Sequence, residues 1–180
     1  MLIERSNSLL LVVDIQSRLM PAIHQAEMVE LGAVILLDAA ARLGVPRLIS
    51  EQYPKGLGPT VPVVANAAGD VVPLPKITFS CAADPGIAAA IRAAGRQQIV
   101  LAGAEAHVCV LQSALGFKAE GYDVVIVADA TSSRRPESKA VALRRAAQAG
   151  IVVATVEMVL FEWLGAAGTE EFRAISRLIK

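Results

Sequence analysis

The stretch AGAEAHVCVLQSALG, residues 102–116, runs from the end of an apolar strand-like segment into a helix-like one, with the thiol of Cys109 at the junction. A short block of branched aliphatic residues followed by helical apolar spacing is one β-α unit of a parallel sheet. The same unit recurs along the chain. Six blocks read as strands: SLLLVV (8–13), PRLIS (46–50), DVVPL (70–74), QIVLAG (98–103), DVVIVA (123–128) and IVVATV (151–156). Between them, residues 28–44, 85–95, 107–121 and 136–150 carry helical spacing and end in glycine at or near the position just past a helix. Two of these helices open with proline, whose missing N–H is harmless in a first turn. Residues 169–180 read as a last amphipathic helix with Thr169 as N-cap. The segment EQYPKGLGPTVP (51–62) reads as a long loop, a place where function concentrates.

Strands alternating with crossover helices predict an α/β chain, an open sheet of six parallel strands with helices on both faces. In such sheets ligands bind past the carboxyl ends of the strands, where the strand order reverses.

Bulk properties narrow the function. The 180 residues fit a single domain, 1–180, able to bury a core without disulfides or metal. Hydrophobic residues are 54% and charged residues 19%, which excludes disorder and leaves more apolar surface than a small monomer hides, so a homo-oligomer is expected. The formal net charge is zero and the basic residues are scattered, so no nucleic-acid or anionic-membrane partner is expected and a small-molecule substrate fits better. Two cysteines without a C-x-x-C spacing make neither a disulfide framework nor a zinc site, and they point to a reducing, cytoplasmic setting. The apolar run 9–13 stops at Asp14, too short for a signal-peptide core, and no stretch approaches the roughly 20 apolar residues of a membrane span. KGLGPT (55–60) matches neither phosphate-binding glycine pattern.

The polar residues just past the strand ends are the candidates for chemistry. Asp14 follows the first strand, Glu51 and Gln52 the second, Lys76 the third through Pro75, and Cys109 the fourth. If the strand order is 3-2-1-4-5-6, strands one and four flank the crevice, so Asp14 and Cys109 face each other with Lys76 nearby. A thiol becomes a nucleophile through an adjacent base, a cation or a helix N-terminus, and all three are at hand. The turn GAEAHVC can also present two backbone N–H groups to an oxyanion. Each residue alone has a plainer explanation: a turn cap for Asp14, a small buried hydrophobe for Cys109, a solvated amine for Lys76. His107 lies too near Cys109 in sequence to fold back as its base and reads as pocket wall or turn, His24 as surface, and Cys81 as packing.

Together, VVDIQ (12–16), SEQYPKGLGPTVP (50–62), PKITFS (75–80), AGAEAHVCVLQSAL (102–115) and EMVLFEWLG (157–165) resemble the isochorismatase-like cysteine hydrolases, in particular the branch of isochorismatase domain-containing proteins. The resemblance implies a three-layer Rossmann-like sheet in the order 3-2-1-4-5-6 and an Asp–Lys–Cys triad at Asp14, Lys76 and Cys109. It further implies a cis peptide bond between Ala104 and Glu105, with the oxyanion received by the backbone N–H groups of Glu105 and Cys109. Related nicotinamidases bind a metal through an Asp and two His, where this chain has Glu51, Gln52 and Tyr53, so no metal and no cofactor is expected. The expected activity is hydrolysis of a small amide, or an ester, through a Cys109 thioester, with Glu51, Gln52, Tyr53 and His107 as candidates for the pocket wall. Two other readings fit the same residues: an interaction or scaffold protein of little turnover, and a thiol redox sensor.

Overall fold

The computed structural model describes residues 1–179. In chain order the elements are β1 (Ser8–Val13), α1 (Ala26–Leu43), β2 (Arg47–Gln52), α2 (Pro54–Leu57), α3 (Pro62–Ala68), β3 (Leu74–Lys76), α4 (Pro85–Ala94), β4 (Gln98–Ala104), α5 (Leu111–Ala119), β5 (Asp123–Ser132), α6 (Pro136–Gln148), β6 (Val152–Ala154), α7 (Val156–Leu164) and α8 (Glu170–Ile175). A short 3₁₀ turn at Met20–Ala22 precedes α1, and a π turn at Ala106–Val110 leads into α5. All pairings are parallel, and the sheet order is β3-β2-β1-β4-β5-β6. The expected α/β fold and strand order are those found.

The period of two in a strand sorts the core into two layers. Leu10 and Val12 of the wholly buried β1 pack with Leu36, Leu37 and Ala40 of α1 and with Val159, Leu160 and Trp163 of α7. Leu9, Leu11 and Val13 point the other way, to Ile87 and Ile91 of α4, Phe117 of α5, Ala146 of α6 and Cys109. A strand covered on both faces must be apolar at every position, which explains the unbroken run LLLVV.

Several boundaries differ from the sequence reading. The third strand is not 70–74 but Leu74–Lys76: Asp70 and Val72 face solvent, and Pro73 has no N–H to give a ladder. Pro75 is tolerated within β3 because β3 is an edge. Glu51 and Gln52 end β2 rather than begin a loop, and the rest of segment 51–62 holds α2 and the opening proline of α3. β5 runs on to Ser132 across a register shift that follows the Leu101–Ile126 pair. Thr155 lies outside the short β6 and instead caps α7, its hydroxyl accepting from the Met158 N–H at 3.3 Å; this helix was not anticipated. Thr169 caps α8 as expected, accepting from the Phe172 N–H at 3.0 Å.

β1 and β4 are paired at Val13 and Gly103. Gly103 has φ +122°, and a Cβ there would overlap the Val13 carbonyl oxygen, immediately before Asp14. Gly103→Ala therefore combines an unfavourable backbone with a backbone clash. It should lower the stability measured by urea unfolding by about 3 kcal/mol.

Candidate active site

The carboxyl ends of β1, β2, β3 and the β4–α5 junction converge on one small polar cluster inside the apolar layers. Asp14 is the first residue past β1 and takes a left-handed conformation, φ +52°, which aspartate accepts more readily than most residues. Its N–H donates to the Ser50 carbonyl at 3.1 Å. Both carboxylate oxygens are then engaged: Oδ1 accepts from Ser50 Oγ at 2.7 Å and Oδ2 from Lys76 Nζ at 2.7 Å. Both charged side chains are wholly buried. Lys76 Nζ also donates to Gln52 Oε1 at 2.6 Å, and Cys109 Sγ lies 4.0 Å from that same oxygen.

Burial is the main reason the Cys109 thiol holds its proton well above the usual range; the Asp14 charge adds to it, and Lys76 offsets only part. Burial by itself lowers the Lys76 pKa, but the Asp14 charge beside it is among the effects that outweigh burial and raise it. From sequence alone, the neighbours of Cys109 are activators of its thiolate. The structure differs because desolvation and a nearby anion outweigh one shared cation. The resting arrangement is a carboxylate, an ammonium and a neutral thiol, which can react if the proton leaves sulfur as sulfur attacks.

The other candidates fall at different distances from this cluster. The Ala104–Glu105 peptide bond is cis. The Glu105 N–H has no hydrogen-bond acceptor among the described residues, and its carboxylate pairs with Arg134 at 3.1 Å. Gln52 is in the cluster. Glu51 turns away and accepts from Thr60 N and Oγ1, both at 2.7 Å. Tyr53 is half exposed, its ring against Gly56, and His107 is exposed with Nδ1 2.9 Å from Ser133 Oγ. His24 is also at the surface. Among the described residues no three His, Cys, Asp or Glu side chains are grouped to hold a metal ion, and no helix is long and apolar enough to cross a membrane.

Three contributors were missed from sequence. Ser50 orients Asp14. Cys81 is fully buried, and its Sγ lies 3.6 Å from Ser50 Oγ. Gln16, also fully buried, accepts from Gln52 N–H at 2.8 Å and donates to the Gln52 and Gly58 carbonyls at 3.0 and 2.7 Å. The available signal was a polar residue within an otherwise apolar strand end, in VVDIQ and RLISEQ.

Two outcomes follow from this geometry. Lys76→Met strands a buried carboxylate and should cost about 3–5 kcal/mol in urea unfolding, most of it recovered in the Asp14→Asn, Lys76→Met double variant. Thiolate absorbance, taken as wild type minus Cys109→Ala, should stay flat between about pH 7 and 9, since a raised pKa keeps the neutral thiol there. Asp14→Asn removes the repelling charge and leaves Lys76 unopposed, so the thiolate should then appear at lower pH.

Residues 8–158 match the Isochorismatase domain model. Isochorismatase domain-containing protein 1 of Salmo salar is 40% identical over 168 residues, covering 93% of this chain and 59% of that protein. The chain thus spans less than two thirds of that relative's length. The structure of MAR1 ribonuclease from Caenorhabditis elegans superposes with a TM-score of 0.93 at 33% identity, covering 99% of this chain and 92% of that one. The YcaC gene product of Escherichia coli, described as an octameric hydrolase of unknown specificity, gives a TM-score of 0.91 over 98% of this chain and 90% of that one. At 22% identity it speaks for the fold alone. With the family model spanning the whole sheet from β1 into α7 and the salmon relative matching nearly the whole chain, the protein belongs to the isochorismatase family.

Proposed function

We propose that the protein is a cysteine hydrolase of a small amide, or an ester, in which Asp14, Lys76 and Cys109 act as the catalytic triad. The observation that carries this reading is the single buried cluster in which a thiol, a carboxylate and an ammonium share hydrogen-bond partners. Asp14 takes the thiol proton as Sγ bonds to the substrate carbonyl carbon, and the carbonyl electrons move onto oxygen. The N–H groups of Glu105 and Cys109 receive that oxyanion. The intermediate collapses with loss of the amine, which leaves with the proton from Asp14, and a thioester remains on Cys109. Water then attacks the thioester as Asp14 takes its proton; the acid departs and sulfur regains the proton. Lys76 holds Asp14 in place throughout, pairing with its carboxylate before it takes each proton and after it gives it up, and no metal or cofactor enters any step.

A neutral thiol fits this scheme, because the base sits beside it and transfer can accompany attack. It fits a redox sensor poorly, since peroxide reacts with thiolates. A hollow of about 300 Å³ lies at the end of β3, lined by Pro54, Pro75, Lys76, Ile77, Thr78 and Asp84, and of the triad only Lys76 contributes to that lining. The zero net charge supports a small molecule over a phosphate backbone. Free thiols at Cys81 and Cys109 support a reducing compartment such as the cytoplasm. Exposed Met28, Leu31 and Phe161 support assembly with further copies of the chain.

Intact-mass analysis after exposure to a panel of small amides and esters tests the reaction. An acyl adduct or turnover in wild type that vanishes in Cys109→Ala is the expected outcome. Turnover that survives Cys109→Ala, or RNA cleavage independent of Cys109, would overturn it.

A further inference from the structure

Gln52 stands between the two halves of the cluster. Its Oε1 accepts from Lys76 Nζ at 2.6 Å and is the polar atom 4.0 Å from Cys109 Sγ. Its Nε2 donates to the Ile77 carbonyl at 2.8 Å, and this contact decides which way the amide faces: the nitrogen toward Ile77, the oxygen toward the amine and the thiol. The backbone is held as firmly. Gln16 accepts from the Gln52 N–H and donates to the Gln52 carbonyl, while Gln52 pairs with Lys76 in the β2–β3 ladder. Backbone and side chain are thus both anchored, and only the carbonyl oxygen of the amide meets the reacting groups.

The charge of this partner matters. Lys76 has three N–H donors, one used by Asp14 and one by Gln52, and the third has no acceptor among the described residues. A neutral carbonyl fixes the ammonium without cancelling its charge. A carboxylate at the same place would compete with Asp14 for the amine and add a second anion beside the sulfur.

We propose that Gln52 is a positioning residue: as a neutral acceptor it fixes the Lys76 ammonium so that one N–H remains for the charge that develops on Cys109 as its proton passes to Asp14. This rests on the reading of Cys109 as nucleophile, and the test separates the two. The probe is iodoacetamide, a small neutral amide. Its carbon bonds to Sγ, iodide leaves, and the thiol proton passes to Asp14. Alkylation of Cys109 is followed by mass against pH in the full-length wild type, Asp14→Asn, Gln52→Met and Gln52→Glu, with thermal unfolding to show that each variant is folded.

Gln52→Met keeps length and backbone contacts but removes the acceptor, and should slow alkylation near neutral pH by about ten- to a hundredfold. Gln52→Glu is isosteric, and once ionised should move the alkylation inflection to higher pH than in wild type. A residue that merely filled space would leave the pH profile of the glutamate variant where it was. If Asp14→Asn changes the profile but both folded Gln52 variants match wild type in rate and inflection, the positioning role is wrong and the nucleophile reading stands. If neither Asp14→Asn nor the Gln52 variants change the profile, both are wrong.

Discussion

The contact between Lys76 Nζ and Asp14 Oδ2, 2.7 Å long and closed to solvent, is the constraint around which the carboxyl edge of the sheet is arranged. Removing two charges from water costs several kcal/mol per ion even after relaxation, and attraction alone need not repay it unless the remaining hydrogen-bond positions are filled. Ser50 and Gln52 fill them here. They come from β2, the strand lying between the two charged residues, since β2 pairs with β1 on one side and β3 on the other. A parallel sheet is suited to this arrangement, because every strand ends on the same edge and three neighbouring ends can each place a polar group at one depth.

The pair also sets the behaviour of the thiol. Ammonium and carboxylate together leave the cluster formally neutral, with little to favour an additional anion in so apolar a place. Cys109 accordingly rests as a thiol, buried first and repelled by Asp14 second. In the reaction proposed above, such a sulfur reacts with an electrophile small enough to enter and placed so that Asp14 can take the proton. Reactivity then depends on bound geometry more than on a standing population of thiolate.

Rigidity around the cluster has its own sources. Loop 53–61 is held by Gln16 at the Gly58 carbonyl, by the Ser17 and Arg18 N–H groups at the Pro59 and Leu57 carbonyls, and by Glu51 on Thr60. Glu51 was expected to face a substrate, yet its carboxylate staples the loop on the far side of β2 from Lys76. Alternation explains this: Glu51 and Gln52 are consecutive in a strand, so they point to opposite faces and only one can join the site.

The runs LLLVV, IVLAG and VVIVA, with glycines closing the helices between them, were enough to read parallel strands and crossover helices, because burial on both faces demands unbroken apolar residues and helix ends demand a residue tolerant of positive φ. The polar residues just past strand ends offered Asp14, Lys76 and Cys109 as candidates, because the strands of a parallel sheet all end on one edge, where ligands bind. Short β3, the capped helix α7 and the division of labour between Glu51 and Gln52 were decided only in three dimensions. A three-residue edge strand holding a proline has no periodicity of its own and exists because β2 offers it a ladder. The charge state of Cys109 was likewise beyond the sequence, since it depends on how much water remains and how near an anion lies from another strand, and both are properties of packed side chains rather than of residue order.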